Sequence, residues 1–184
     1  MHGYARAPQL SRGVRRLSLG LGMDAPAVLA EIVGLLESRN VRYWLGRGRF
    51  RNFIITGALG DDASDLDFHI FREDSAPLHG LLPELAARKY EVTADAPHKL
   101  SMVRGGVAVE FVYLDLDSST ESNIRYHETV CPTRKRYLCA ETVFSDRKLK
   151  ICEVEVRVPE NEYLSSVFGP RWRENRKGTG GVEI

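Results

Sequence analysis

An excess of charge of either sign is missing from this chain: 26 Lys and Arg against 25 Asp and Glu leave a net charge of +1 over 184 residues. A surface so nearly neutral is a poor match for a long polyanion, so extended nucleic acid is not an expected partner. Long apolar runs are missing too. None approaches the roughly 20 residues that span a bilayer, and the N-terminal stretch, with Arg6, Arg12, Arg15 and Arg16 before the first acid at Asp24, lacks the apolar core of a signal peptide. The expectation is a soluble, cytoplasmic protein that does not engage a membrane. Cysteine is scarce, and the three present (Cys131, Cys139, Cys152) are too few and too odd in number for a disulfide framework. His127 and these cysteines also lack the closely spaced Cys pair of a structural zinc site, so the sequence assigns no zinc to them.

A hydrophobic content of 43% is enough for one well-buried core and little more. The chain reads as a flexible basic arm over residues 1–22, a single domain over 23–175 and a flexible tail over 176–184. Asp24 is a candidate N-cap with Pro26 in the first turn, and Val28, Leu29, Ile32, Leu35 and Leu36 then recur at helical spacing until Asn40. A second helix is expected from about Pro77 to Lys89. Strands are expected at 41–45, 65–71, 90–94, 99–104 and 107–113, with Gly105-Gly106 as a hairpin turn between the last two. Further strands are read at 137–140 and 151–158, and a last helix begins after Pro159 and stops near Gly169-Pro170. Whether Phe50 to Ile55 is helical or extended is not decided by pattern. Strand patterns interleaved with amphipathic helices predict an α/β (α+β) domain with a mixed sheet flanked by helices.

The stretch that carries chemistry is Ser64-Asp-Leu-Asp-Phe-His-Ile-Phe71. On a strand, alternate side chains share a face, so Asp65 and Asp67 project together while Leu66, Phe68 and Ile70 face the core. Two neighbouring carboxylates repel each other unless a cation lies between them, and hard oxygen ligands suit Mg²⁺ or Mn²⁺. Should this strand pair with the Val107 strand, Glu110 becomes the third carboxylate. Flanked by Val109 and Phe111, it is a lone charge on a buried strand, costly unless paired or bound to metal. Asp115 and Asp117 fall where that strand should be ending and read as loop residues.

In order and spacing, Tyr43-Trp-Leu-Gly-Arg-Gly48, Ser64-Asp-Leu-Asp-Phe68 and Val109-Glu-Phe111 resemble the nucleotidyltransferase fold superfamily. Within it, Val156-Arg-Val-Pro-Glu-Asn-Glu-Tyr-Leu164, Phe168-Gly169 and Trp172 resemble the ending of the LicD and fukutin-related branch, so that the likeness covers about residues 27 to 172. The resemblance implies a nucleotidyltransferase-like mixed sheet, with Asp65, Asp67 and Glu110 as catalytic metal ligands for Mg²⁺ or Mn²⁺. It also implies a donor-phosphate site in the turn Gly46, Arg47, Gly48 and Arg49, where the family pattern has a second small residue and a hydroxyl instead of arginines. Ser64 and Lys99 are further candidates for substrate contact, with Arg51 and Arg104 as weaker ones. His69, on the same strand face as the aspartates, reads as a packing histidine, and Tyr137, Tyr163 and Trp172 read as core residues. The implied activity is metal-dependent transfer of a nucleotidyl or substituted phosphoryl group from a nucleoside triphosphate or nucleotide-diphosphate-linked donor to a hydroxyl of a small molecule or glycan. The alternative is a catalytically silent nucleotide-binding or partner module.

Overall fold

The computed structural model describes residues 24–60, 64–117, 125–131, 134–139 and 143–174. The arm and the tail expected from the sequence lie outside them. Helix α1 (Ala25–Ser38) starts where expected: the Asp24 carboxylate accepts the Ala27 N–H at 3.0 Å, and Pro26 occupies the first turn. Its stripe of Val28, Leu29, Ile32, Leu35 and Leu36 is buried in the main core.

Strand β1 (Tyr43–Leu45) runs into α2 (Arg47–Thr56), with Gly46 as the N-cap. The segment after the glycine turn is thus a helix, and the turn itself is its amino end. Strand β2 (Asp65–Phe71) follows, then α3 (Ser75–His79) and α4 (Leu82–Ala87). These two short helices replace the single one expected from Pro77 to Lys89, the break falling at Gly80-Leu81. Strands β3 (Glu91–Ala96), β4 (Lys99–Arg104) and β5 (Val107–Asp117) complete the central order β1-β2-β5-β4-β3. Gly105 and Gly106 turn the β4–β5 hairpin at φ of 56° and 86°, conformations open to glycine at no steric cost.

Pairing is parallel between β2 and β5 and antiparallel elsewhere, which makes the sheet mixed as expected. Two strands enlarge it. β6 (Arg125–Cys131), absent from the sequence reading, pairs with the far end of β5, and β7 (Arg134–Cys139) pairs with β6. Because β5 continues to gain a partner there, it runs on to Asp117; Asp115 is a strand residue, forked onto Arg72 at 2.8 and 2.9 Å. The single strand expected over 151–158 is instead a hairpin of β8 (Lys148–Ile151) and β9 (Val154–Arg157). Its turn is Cys152-Glu153 at φ of 49° and 68°, a left-handed pair that the sequence does not advertise because neither residue is Gly or Asn. Helix α5 (Asn161–Phe168) ends at Gly169, as expected.

One sheet face is apolar. Leu66, Phe68 and Ile70 of β2, Val109 and Phe111 of β5, and Leu100 and Met102 of β4 are all fully buried in the cluster that includes α1. By alternation, Asp67, Glu110, Ser101 and Lys99 belong to the opposite face. Arg104 falls on the α1 side and pairs with Glu31, so it is not a neighbour of the acidic residues as the sequence allowed.

Candidate active site

Register brings the acids together. Asp67 stands opposite Glu110 on the parallel β2–β5 pair, and Ser101 stands opposite Glu110 on β4. Asp65, two residues earlier on β2, lies at the open end of the strand. Its side chain is 52% exposed, against 10% for Asp67 and 26% for Glu110. Ser64 begins the pairing, its carbonyl accepting the Ala108 N–H at 2.7 Å.

Every one of these carboxylates has a cation beside it. Lys99 Nζ lies 2.8 Å from Glu110 Oε1, which Ser101 Oγ also approaches at 3.3 Å. Arg47 Nη1 lies 3.8 Å from Asp67 Oδ1 and 4.0 Å from Glu110 Oε2, within ion-pair distance of both acids. Arg49 is directed differently. Its guanidinium donates to the Asp65 carbonyl at 2.9 Å and the Leu59 carbonyl at 3.2 Å, and meets the Asp65 carboxylate at 2.5 Å. That buried fork ties the strand entrance to the preceding loop. Burial acts to raise the Glu110 pKa, but the hydrogen bond and charge of Lys99, with Arg47 and Ser101, outweigh it and hold the carboxyl below the ordinary glutamate range.

Gly46 is where α2 meets the strand. Its N–H donates to the Asp67 carbonyl at 2.9 Å. A Cβ placed on it would lie 2.5 Å from His69 Nδ1, 2.6 Å from His69 Cε1 and 2.9 Å from the Tyr163 hydroxyl, so glycine is required by packing and not by φ. His69 is fully buried and edge-on to Tyr163, which agrees with its reading as a packing residue. Tyr163 is also fully buried, as expected, yet its hydroxyl accepts the Arg47 N–H at 3.0 Å and so caps the first turn of α2. Arg47 itself adopts φ 51°, a left-handed conformation that costs a non-glycine residue on the order of 1 kcal/mol or more. Gly48 differs again: among the described residues nothing lies within 4 Å of a Cβ built there, so its backbone borders open space among them.

The contacts of Ser101 and the capping hydroxyl of Tyr163 were not legible as site features, since each depends on a partner far along the chain. Arg51, considered for phosphate, is buried and donates its Nε–H to the Trp172 carbonyl at 2.8 Å, anchoring the C-terminal segment. The side chains of His127, Cys131, Tyr137 and Cys139 lie outside the described residues; Cys152 is exposed and free.

No protein-family model matches the chain, and no curated protein matches it. Solved structures do. The solution structure of the antibiotic-resistance factor ANT(2'')-Ia, an aminoglycoside nucleotidyltransferase, superposes with a TM-score of 0.51 at 14% identity, covering 73% of this chain. The fold is nucleotidyltransferase-like. The match spans 64% of the length of that neighbour. A crystal structure of ANT(2'')-Ia in complex with adenylyl-2''-tobramycin matches at a TM-score of 0.43 and 15% identity, over 59% of this chain and 57% of its own.

Hard carboxylate oxygens at Asp67 and Glu110 suit a divalent ion, and their shared face would hold one between β2 and β5. Among the described residues, however, no three ligating side chains gather closely enough to hold a metal ion, and the Asp65 carboxylate meets Arg49. No helix among them is long and apolar enough to cross a membrane.

Proposed function

We propose that this protein is a metal-dependent nucleotidyltransferase, or substituted-phosphoryl transferase, acting on a hydroxyl of a small molecule or glycan. The observation that carries the reading is the register of Asp67 against Glu110 beside the amino end of α2. Mg²⁺ or Mn²⁺ held by Asp67 and Glu110, with Asp65 at the rim, would neutralise donor phosphate oxygens and favour attack by an alcohol. The protein's own part is positional. The amino end of α2 supplies the positive end of the helix dipole and backbone N–H groups for a phosphate, and the open space at Gly48 lets a phosphate reach the backbone. Arg47 and Lys99 add positive charge next to the acids. Ser64, at the strand mouth, is the nearest hydroxyl in sequence to the acidic pair.

Arg49 is assigned a positioning role instead of a phosphate contact, because its guanidinium is committed to Asp65 and Leu59. The aminoglycoside acceptor of the structural neighbour supports a polyhydroxylated small molecule as acceptor, and the LicD-like sequence ending supports a glycan. A cytoplasmic location accords with a nucleotide donor.

The test is pyrophosphate or nucleoside-monophosphate release from a panel of nucleoside triphosphates and nucleotide-diphosphate-linked donors with Mg²⁺, against aminoglycoside, sugar and polyol acceptors. Asp67→Asn should abolish turnover in a protein that still folds; full activity in that variant would refute the assignment. The pairing of all three acids with cations favours a second reading, a silent nucleotide-binding module. That reading requires saturable nucleotide binding with no product released from any donor.

A further inference from the structure

Three cations attend three acids at this site, and they are not held alike. The Arg49 guanidinium is 9% exposed and hydrogen-bonded to a carboxylate and two carbonyls. Lys99 meets Glu110 at direct hydrogen-bond distance. Arg47 faces two acids at once, 3.8 and 4.0 Å away, beyond the range of a charge-assisted hydrogen bond to either, with its side chain 27% exposed. Its guanidinium is thereby the cation that faces both candidate metal ligands.

We propose that Arg47 is a built-in counter-cation that keeps the Asp67–Glu110 pair closed to a divalent ion until the polyphosphate of a nucleotide draws the guanidinium away. This rests on the metal-dependent transferase reading above and adds an order of events to it. Two neighbouring carboxylates without a cation repel each other and favour any divalent ion that arrives; a guanidinium facing both weakens both effects. A polyphosphate offers Arg47 a planar, bidentate partner of higher charge than a single carboxylate. Partial exposure gives the side chain a way out that leaves the core intact. The backbone need not follow, because the Arg47 N–H remains on the Tyr163 hydroxyl. Metal and donor then bind cooperatively, each raising the affinity of the other by the same factor.

The left-handed backbone at Arg47 makes the variant to use plain. Glycine adopts φ 51° without strain, so Arg47→Gly deletes the guanidinium and suits the fold. Arg47→Ser serves as a second deletion should the glycine variant melt early, and Arg47→Lys keeps a cation. Binding of Mn²⁺ alone to the full chain, followed by electron paramagnetic resonance of the free ion, should tighten about tenfold or more in Arg47→Gly or Arg47→Ser. Arg47→Lys should stay close to wild type, and adding Asp67→Asn to the deletion should abolish the gain. Equal Mn²⁺ affinity in wild type and both deletions, including no detectable binding in any, would overturn the proposal. Donor turnover by wild type with Mg²⁺ is scored separately: if it persists, only the counter-cation falls, and if it too is absent, the transferase reading falls with it.

Discussion

Gly46→Ala is the sharpest test of how the site is assembled. The added methyl would meet two atoms of the His69 ring at 2.5 and 2.6 Å and the Tyr163 hydroxyl at 2.9 Å. Carbon contacts are comfortable at about 3.5–4.0 Å, so either the ring or the amino end of α2 must move by roughly 1 Å. Neither ring has room to retreat, since His69 and Tyr163 are both fully buried. Overpacking of this kind costs about 1–3 kcal/mol. Displacing the Tyr163 hydroxyl from the Arg47 N–H would add about 0.5–1.5 kcal/mol. A total of about 1.5–4.5 kcal/mol corresponds to a fall in Tm of roughly 3–18 °C for a chain of this size.

Urea denaturation followed by circular dichroism measures the loss directly. The cause is isolated by repeating it in a His69→Ala background, where the opposing ring is gone. There the Gly46→Ala increment should shrink by at least about 1 kcal/mol, a coupling of the size seen for residues in contact. A wild-type Tm for Gly46→Ala would refute the packing argument, and a full-sized increment without His69 would show that the glycine is needed for another reason.

Gly48→Ala should leave stability unchanged or raise it by about 0.5–1 kcal/mol, because the position is helical and open. If donor phosphate approaches that backbone, calorimetric titration should show weaker nucleotide binding in the same variant. Arg49→Met leaves the Leu59 and Asp65 carbonyls without their donor and should cost about 1–3 kcal/mol by denaturant titration, a range reduced for the exposure of the Asp65 carboxylate. Arg49→Lys should recover only part of that, lacking the planar fork. Lys99→Ala should raise the Glu110 pKa, since burial alone pushes it up, and carboxyl-resolved NMR titration reads the shift. The sign follows for stability: the lowered Glu110 pKa contributes above the ordinary glutamate value and is lost as pH falls through the folded value, so the acid limb of the wild-type stability curve should flatten in Lys99→Ala.

What the sequence made legible was whatever depends on near neighbours or on alternation. The α1 cap, the Gly105-Gly106 hairpin and the two faces of β2 are decided within a few residues, and all appear as read. The Asp67–Glu110 pairing needed one further step, a guess that β2 neighbours β5, and the parallel register supports it. Features set by distant partners were hidden. Strand β5 extends past Tyr113 because β6 pairs with it, and Asp115 is occupied by Arg72 from the far end of β2. The Cys152-Glu153 turn gave no signal, because its left-handed residues are not the usual ones.

The two arginines of the glycine turn show the same limit more sharply, since composition treats them as equals. Helical geometry separates them: Arg47, the first residue of α2, points its charge at Asp67 and Glu110, whereas Arg49 folds back onto Asp65 and the loop carbonyl of Leu59. One of them faces the acid pair, and the other fixes the strand that carries the acids. With Lys99 on Glu110, each of the three acids faces a base among the described residues. The self-repulsion that an isolated Asp-x-Asp strand would suffer is therefore largely cancelled here. Neutralising Asp67 would relieve little and would take a partner from Arg47, so a gain in stability is not expected from Asp67→Asn. A loss of turnover in that variant, with no rise in Tm, would then reflect chemistry at the carboxylate and not a change in the fold around it.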